Sequence, residues 1–503
     1  MTIERLSLVS STDPDSYQYG AILSGAGTTN VIYTKYPGER VYASQRPAID
    51  TTTDPSDGGD ELVNGRGIFY WNLLDSYYLF RDNTIYKGDY TNDIFTAIAG
   101  RDKVYFVSVN DYLIIVDTEN NKAWYIHRDT SETVTEITDP NFPGNISGKQ
   151  LAGGAVSLNG YIFIMTTDGF VYNCNLNDPT TWSALDFIST DVHGDGGVFI
   201  AKHHNHICCL GENSIEFLYD AGNPVGSPLQ LRQDVSYLTG ALDVLSVSAN
   251  GDSIVFLGRT SSGSITLHSL QSFKINTLSN NSIDRFINDT YTNNNIDGND
   301  IRFVLASSWF GQNMLVFMTS VIVKETYYEP VQTLVYDATN DLWSIFNTSL
   351  PEVDAFSVVA TADSTGQSFV RGSIQFLSGA VGTINLSDDI QDTRTSSAYF
   401  VEGYIEPGYF EDEGDSLSYR IPMEIVTVEL DDQTLTNKIC NRASVVGTTV
   451  STGNNKQPIK VSWTDNRYKT FSTPRYLPTS LRRSLTRLGK YKRRAYKIEY
   501  DGT

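Results

Sequence analysis

The chain has 503 residues, a formal charge of −22, 40% hydrophobic and 19% charged residues, and 30 Tyr and 23 Phe. That length accommodates two or three domains, or one large β architecture with an appendage, and the composition is that of a folded protein. A body this acidic repels nucleic-acid phosphates, so it tolerates DNA passing close by but does not hold it.

The first 55 residues, beginning "MTIERLSLVSSTDPDS", lack the apolar core of a signal peptide. No apolar run approaches the ~18 residues of a membrane helix, so synthesis and folding in a cytosol are expected. The four cysteines, Cys174, Cys208, Cys209 and Cys440, form no zinc-like CxxC pair and suggest a reducing compartment. "DTTTDPSDGGDE" (50–61) reads as an exposed loop or linker.

From about residue 56 short apolar or alternating runs follow one another, bounded by Gly, Asn, Asp and Ser: "GIFYWN", "KVYFVSV", "YLIIVD", "GYIFIMTTDG", "SIVFLG", "MLVFMTS". This is the pattern of an all-β fold with many short strands. A loose unit recurs, in which an apolar strand ends at Asp or Asn, a polar turn follows, and a Trp opens the next strand. The pairs are Asp117 with Trp124, Asn175 with Trp182, and Asp337 with Trp343. The Asx side chain is suited to bonding the turn backbone and the Trp to packing between sheets. The spacing predicts a β-propeller of about six four-stranded blades over 56–390, with stacked β-sandwiches as the alternative. Residues 1–55 do not fit the repeat and are expected as an arm or as part of a platform with the C-terminal segment. Residues 391–503 read as a separate β-rich domain.

Several clusters invite a chemical reading. In "KHHNHICC" (202–209), His204, His206 and Cys208 would share one strand face. A straight line of ligands does not surround a tetrahedral zinc, so an ordinary strand is expected. In "DVHGDGG" (191–197) an inter-blade loop is preferred to a calcium site. "FEDEGD" groups Glu411, Asp412, Glu413 and Asp415 without calcium-loop spacing; it is expected as a solvated acidic turn or an acidic channel wall. "SWTDNRYKTF" loosely resembles the Asp-box hairpin of sialidases, in one degenerate copy. No nucleophile elbow, P-loop or HExxH motif occurs, no carboxylate pair is singled out for glycoside hydrolysis, and no enzyme, cofactor or metal is implied.

"HICCLGENSIEFLYDAGNP", with Gly211 and Ser214-Ile215-Glu216-Phe217, resembles a segment of the packaged-DNA stabilisation proteins of short-tailed phages, which form the tail hub or nozzle below the portal and adaptor rings. "LNGYIFIMTTDGFVYNCNLNDPTTW" is similar to that family's preceding blade and "NVIYTKYPGERVYASQRPAI" (30–49) to its N-terminal segment. "VSWTDNRYKTFS" and "RSLTRLGKYKRRAYKIEY" resemble its closing strands, although Asn466 and Arg467 stand where the family often has Gly. The pieces fall in family order along nearly the whole chain, with none recognised over about 275–330. The resemblance implies a virion protein made in the host cytoplasm. It implies a ring, expected to be a hexamer, that contacts the adaptor or head–tail connector protein, tail fibres or tailspikes, and a plug or needle. Double-stranded DNA would pass through without sequence-specific binding. The competing readings are a carbohydrate- or receptor-binding propeller, such as a lectin or depolymerase, and a DNA-binding protein using its basic tail.

That tail runs from Arg482 to Lys497 with eight basic residues and no acidic one. Taking those eight from the total of −22 leaves −30 on the rest. Gly489 is expected to turn a hairpin after Leu488. Tyr496, Ile498 and Tyr500 would lie on one face of the last strand, Ala495, Lys497 and Glu499 on the other, and Arg494 at its edge. The exposed cations Arg482, Arg483, Arg487, Lys490, Lys492 and Arg493 then form a candidate dock for an acidic protein surface.

Overall fold

The computed structural model describes residues 27–36, 40–46, 48–53, 64–88, 92–190, 194–260, 263–292, 300–310, 313–325, 327–347, 358–363, 371–376, 381–385, 391–395, 409–411, 416–420, 423–427, 438–445, 459–466, 468–477 and 483–500. Strands dominate, and among the described residues there is one α-helix, Asn281–Thr292. The turns are short because the sequence supplies residues that tolerate left-handed backbone. Asp82, Asn110, Asn121, Asn159, Asn177 and Asp341 all sit there, with φ between 47° and 59°.

Five four-stranded antiparallel sheets follow in chain order, at 65–96, 104–136, 156–189, 197–237 and 247–277; we number them blades 1 to 5. Their first strands stand side by side in a circle: Gly65–Trp71, Val104–Val109, Val156–Leu158, Gly197–His203 and Val247–Asn250. Asp300–Phe310 and then Val358–Asp363 continue the circle, and the latter lies against Gly65–Trp71 and closes it. The chain is a β-propeller, as the repeat predicts, with five self-contained blades rather than about six. The remaining arc belongs to two larger sheets. One holds nine strands: Asp300–Phe310, Asn313–Val323, Tyr328–Asp337 and Leu342–Phe346, then Gly27–Thr29, Met423–Val426, Ala495–Tyr500, Ile459–Thr464 and Arg475–Leu477. The other holds seven, and its fourth strand is Ala48–Thr53, paired antiparallel with Val381–Asn385. The chain's early strands are thus built into sheets made by its late ones.

Both faces of each blade are apolar, and each face packs on a neighbour. In "YLIIVD", Leu113 and Ile115 join Tyr78 and Phe80 of blade 1, while Ile114 and Val116 join Ile162 and Ile164 of blade 3. The period of two that alternates side chains across a strand sends them to two different cores. The unit's Trp residues sit in these seams: Trp124 meets Phe80 edge-on at 5.9 Å, and Trp182 meets Phe142 at 5.2 Å. Trp343 meets Tyr336 of its own sheet at 5.0 Å, the rings tilted by 40°, and packs against the core shared with blade 5.

The Asx residues diverge. Asp117 is fully buried and accepts from Asn120 N–H (3.2 Å) and Nδ2 (2.9 Å). It also accepts from Arg66 Nη2 at 2.8 Å, and neither side chain is exposed. Arg66 belongs to blade 1, and its Nε and Nη1 donate to the carbonyls of Asp102 (2.8 Å) and Asp82 (3.1 Å). Gly100 leaves the room this needs, because a Cβ there would come within 2.8 Å of the guanidinium. Asp337 bonds its turn in the same way, through Thr339 N, Asn340 N and Asn340 Nδ2. Asn175 is exposed and flanks a two-residue turn in which Asn177 takes the left-handed conformation.

Removing one member of a buried pair strands the other charge. Asp117→Ala should lose about 3–5 kcal/mol of stability in urea unfolding; a loss under about 1 kcal/mol would show that the pair does not tie blades 1 and 2.

Candidate functional site

Side chains cross the centre of the circle. Lys103 lies just before the first strand of blade 2 and is buried. Its Nζ donates to the carbonyl of Leu305 at 2.5 Å and, at 3.5 Å, to that of Leu245. Tyr105, on the same strand, donates to the carbonyl of Val244 at 3.4 Å and meets Phe199 of blade 4 edge-on at 5.3 Å. One mouth of the hub is spanned by Arg101, whose Nη1 donates to the carbonyl of Lys324 at 2.5 Å. There the Tyr328 hydroxyl also donates to Asp102. Burial pulls Lys103 down to about 7, against the attraction of Asp243. Burial likewise raises Asp243, against the hydrogen bonds from Ser246. This tie is invisible in the sequence except as a Lys abutting the apolar strand "VYFVSV".

The His/Cys stretch is a hairpin rather than one strand. Gly197–His203 and His206–Gly211 pair antiparallel, and His204 turns the corner at φ 52°. His203 is buried and its Nε2 accepts from Phe273 N–H at 3.0 Å. Cys208 faces the core shared with blade 5 and Cys209 the core shared with blade 3; burial pushes both thiols well up. Of 191–197, residues 191–193 lie outside the described residues. Asp195 caps the 211–214 turn, accepting from Asn213 N–H (2.6 Å) and the Ser214 hydroxyl (2.7 Å).

The C-terminal stretch differs from the expected hairpin. Arg483–Tyr491 pairs with Lys438–Val445, while Ala495–Tyr500 pairs with Met423–Val426 and Ile459–Thr464. Gly489, at φ 80°, lies inside a strand, and the chain turns at 492–494. Tyr496 and Ile498 are buried as expected. Arg494, placed at an edge by the sequence, is instead a buried anchor. It grips Asp465 through Nε and Nη2 at 2.7 Å each, donates to the carbonyl of Leu488 at 2.8 Å, and lies over Tyr491 at 4.4 Å. In the turn after "VSWTD", where the family often has Gly and this chain has Asn466 and Arg467, Asn466 Oδ1 accepts from Thr470 N–H at 3.0 Å and Tyr468 takes the left-handed φ of 60°.

Of the candidate docking residues, Arg487, Lys490 and Lys492 are exposed and Arg493 is half-buried. Arg483 opens its strand, and Arg482 lies outside the described residues. Glu411 ends the strand Tyr409–Glu411, whereas Asp412, Glu413 and Asp415 lie outside the described residues. Arg475 and Tyr476, which the sequence did not single out, join this edge; the exposed "RY" following a Pro was their only signal.

A closed circle of sheets whose hub is crossed by Lys103 and Tyr105 defines a β-propeller. The chain belongs to the phage family described as "Bacteriophage P22 Gp10, beta-propeller", whose model matches residues 48–373, more than half of the chain. This is the packaged-DNA stabilisation and tail nozzle family that the motifs resemble, and it makes the chain a bacteriophage structural protein of the virion. No curated protein matches the chain. Similar solved structures include the N-terminal domain of Nup159, at TM-score 0.36, 9% identity, 64% of this chain and 89% of that one. BamB from Moraxella catarrhalis follows at TM-score 0.33, 8% identity, 71% and 89%. The computationally designed Ika8 protein has TM-score 0.35, 10% identity, 72% and 97%. Likeness at this level carries no argument about function.

Lys103 has a folded pKa below its unfolded value, so between about pH 7 and 10 the unfolded chain binds a proton that the folded one lacks. Stability from this group therefore rises with pH across that window, by at most about 1.4 kcal/mol per unit. Lys103→Met should flatten the pH dependence of the unfolding free energy there. Parallel curves for the two proteins would place the ammonium in water.

Proposed function

We propose that the chain is the ring-forming component of the tail nozzle, extending the DNA channel below the portal and adaptor, and retaining and then conducting the packaged genome. The observation that carries this reading, beside family membership, is the bridged hub. With Lys103 and Tyr105 crossing the middle of the propeller, a DNA path requires several copies around an axis outside any one propeller. An acidic subunit suits such a path, because binding strength follows the number of phosphates that cations neutralise. The ring, expected to be a hexamer, meets the adaptor above and fibres, tailspikes or a plug around and below it.

Purified chain added to tail-less, genome-filled particles should restore genome retention and infectivity. Neutralising Arg482, Arg483, Arg487, Lys490, Lys492 and Arg493 together should block that addition while the monomer still folds; normal addition would leave these cations as ordinary solvated charges. Reversing Glu411, Asp412, Glu413 and Asp415 should slow genome release as read by potassium efflux or DNA delivery. Unchanged infectivity would remove this segment from the channel wall.

A further inference from the structure

The C-terminal edge is more than a row of charges. The strand Arg483–Tyr491 slips register against its partner between Cys440 and Arg442, so residues 486–489 bulge. Within the bulge Leu488 is buried, while Arg487 is exposed at φ 59°. A non-glycine residue in left-handed backbone is strained, and bulges of this kind re-aim a side chain. Beside it lies Arg475–Leu477, the outermost strand of the nine-stranded sheet. Arg475 fastens the two strands, donating from Nη1 to the carbonyl of Thr486 at 3.1 Å, with its guanidinium 4.9 Å from the Trp463 ring centre. The next residue, Tyr476, is 60% exposed, and Phe471 is 37% exposed. Nearby, the carboxylates of Asp465, Glu424 and Glu499 are held by Arg494 and Lys497. Arg487 and Lys490 are on other ground, at the surface. Exposed Tyr beside Arg is the composition of an interface centre.

We infer that this edge, centred on Arg487, Lys490 and Tyr476, docks the acidic surface of a second copy of the same chain. Charge complementarity argues for that occupant. Of the eight cations from Arg482 to Lys497, Arg494 and Lys497 are already paired within the chain, but Arg487 and Lys490 stand exposed on this edge, while the chain outside that stretch carries a formal −30. The body of a second copy therefore carries net charge of the required sign. The basic edge and the acidic body are different parts of the molecule, so the contact is heterologous, and heterologous contacts close into rings when the rotation allows. The inference rests on the nozzle reading and names the contact that builds its ring. A duplex is the other polyanion in reach, and the test separates it.

The experiment is sedimentation velocity on the full chain, with a short DNA duplex as a second probe and addition to tail-less particles as a third. Wild-type chain should self-associate at about 0.1 M salt and dissociate toward about 1 M, as the screening length falls from about 10 Å to about 3 Å. R487E/K490E should weaken association about tenfold or more with an unchanged melting temperature. Tyr476→Ala should weaken it while keeping the salt dependence. Unchanged association of R487E/K490E, or a wild-type chain that stays monomeric, would overturn the inference. So would loss of duplex binding by R487E/K490E with association intact, which would assign the edge to nucleic acid. If R487E/K490E associates normally but no longer adds to tail-less particles, the edge meets a different protein; the inference fails and the nozzle reading stands. Failure of wild-type chain to add to those particles would sink the nozzle reading itself.

Discussion

Each blade carries apolar side chains on both of its faces, so none can complete a core by itself. Blade 2 sends Leu113 and Ile115 one way and Ile114 and Val116 the other, and blade 4 does the same with Cys208 and Cys209. A sheet with two sticky faces needs two neighbours, and a row of such sheets has two ends. Closing the row into a circle removes both ends. The closing strands come from both parts of the chain: Ala48–Thr53 pairs with Val381–Asn385, and Gly27–Thr29 lies between Leu342–Phe346 and Met423–Val426. Closure therefore also fixes where the C-terminal strands, and the basic edge they carry, stand relative to the blades.

Circular packing leaves a hub whose diameter is set by the inner strands, and here polar groups cross it. Lys103 tethers blade 2 to carbonyls at 245 and 305, and Tyr105 reaches across to Val244. Buried polar groups persist only when hydrogen-bonded, and these bonds join parts of the circle that do not share a seam. The hub is thus a cross-brace. Its geometry supports the proposal that any passage for a duplex lies between copies and not through one propeller.

Much of this was legible in the sequence because it is local. Alternating apolar runs, Asx turns and the recurring Trp are set by neighbours a few residues apart, and they gave the propeller and its seams. The blade count was not legible, because the strands that complete the last arc lie more than 300 residues from their partners and carry no local mark. The same holds for side chains whose role depends on a distant partner. Arg494 looked like one more surface cation until Asp465, 29 residues away, came into place beside it. In the His/Cys stretch, the left-handed turn at His204 split an apparent single strand into two. The basic tail was legible as a charge, while its bulge and its Tyr476 neighbour were not.

The central claim is that the genome path runs between copies and not through a propeller. Electron cryomicroscopy of the tail, resolved well enough to place the blades, measures this directly. Several copies should surround the tail axis, each propeller hub displaced from that axis and closed, with the basic C-terminal edge of one copy against the next. A single propeller coaxial with the DNA, its hub open to the duplex, would contradict it.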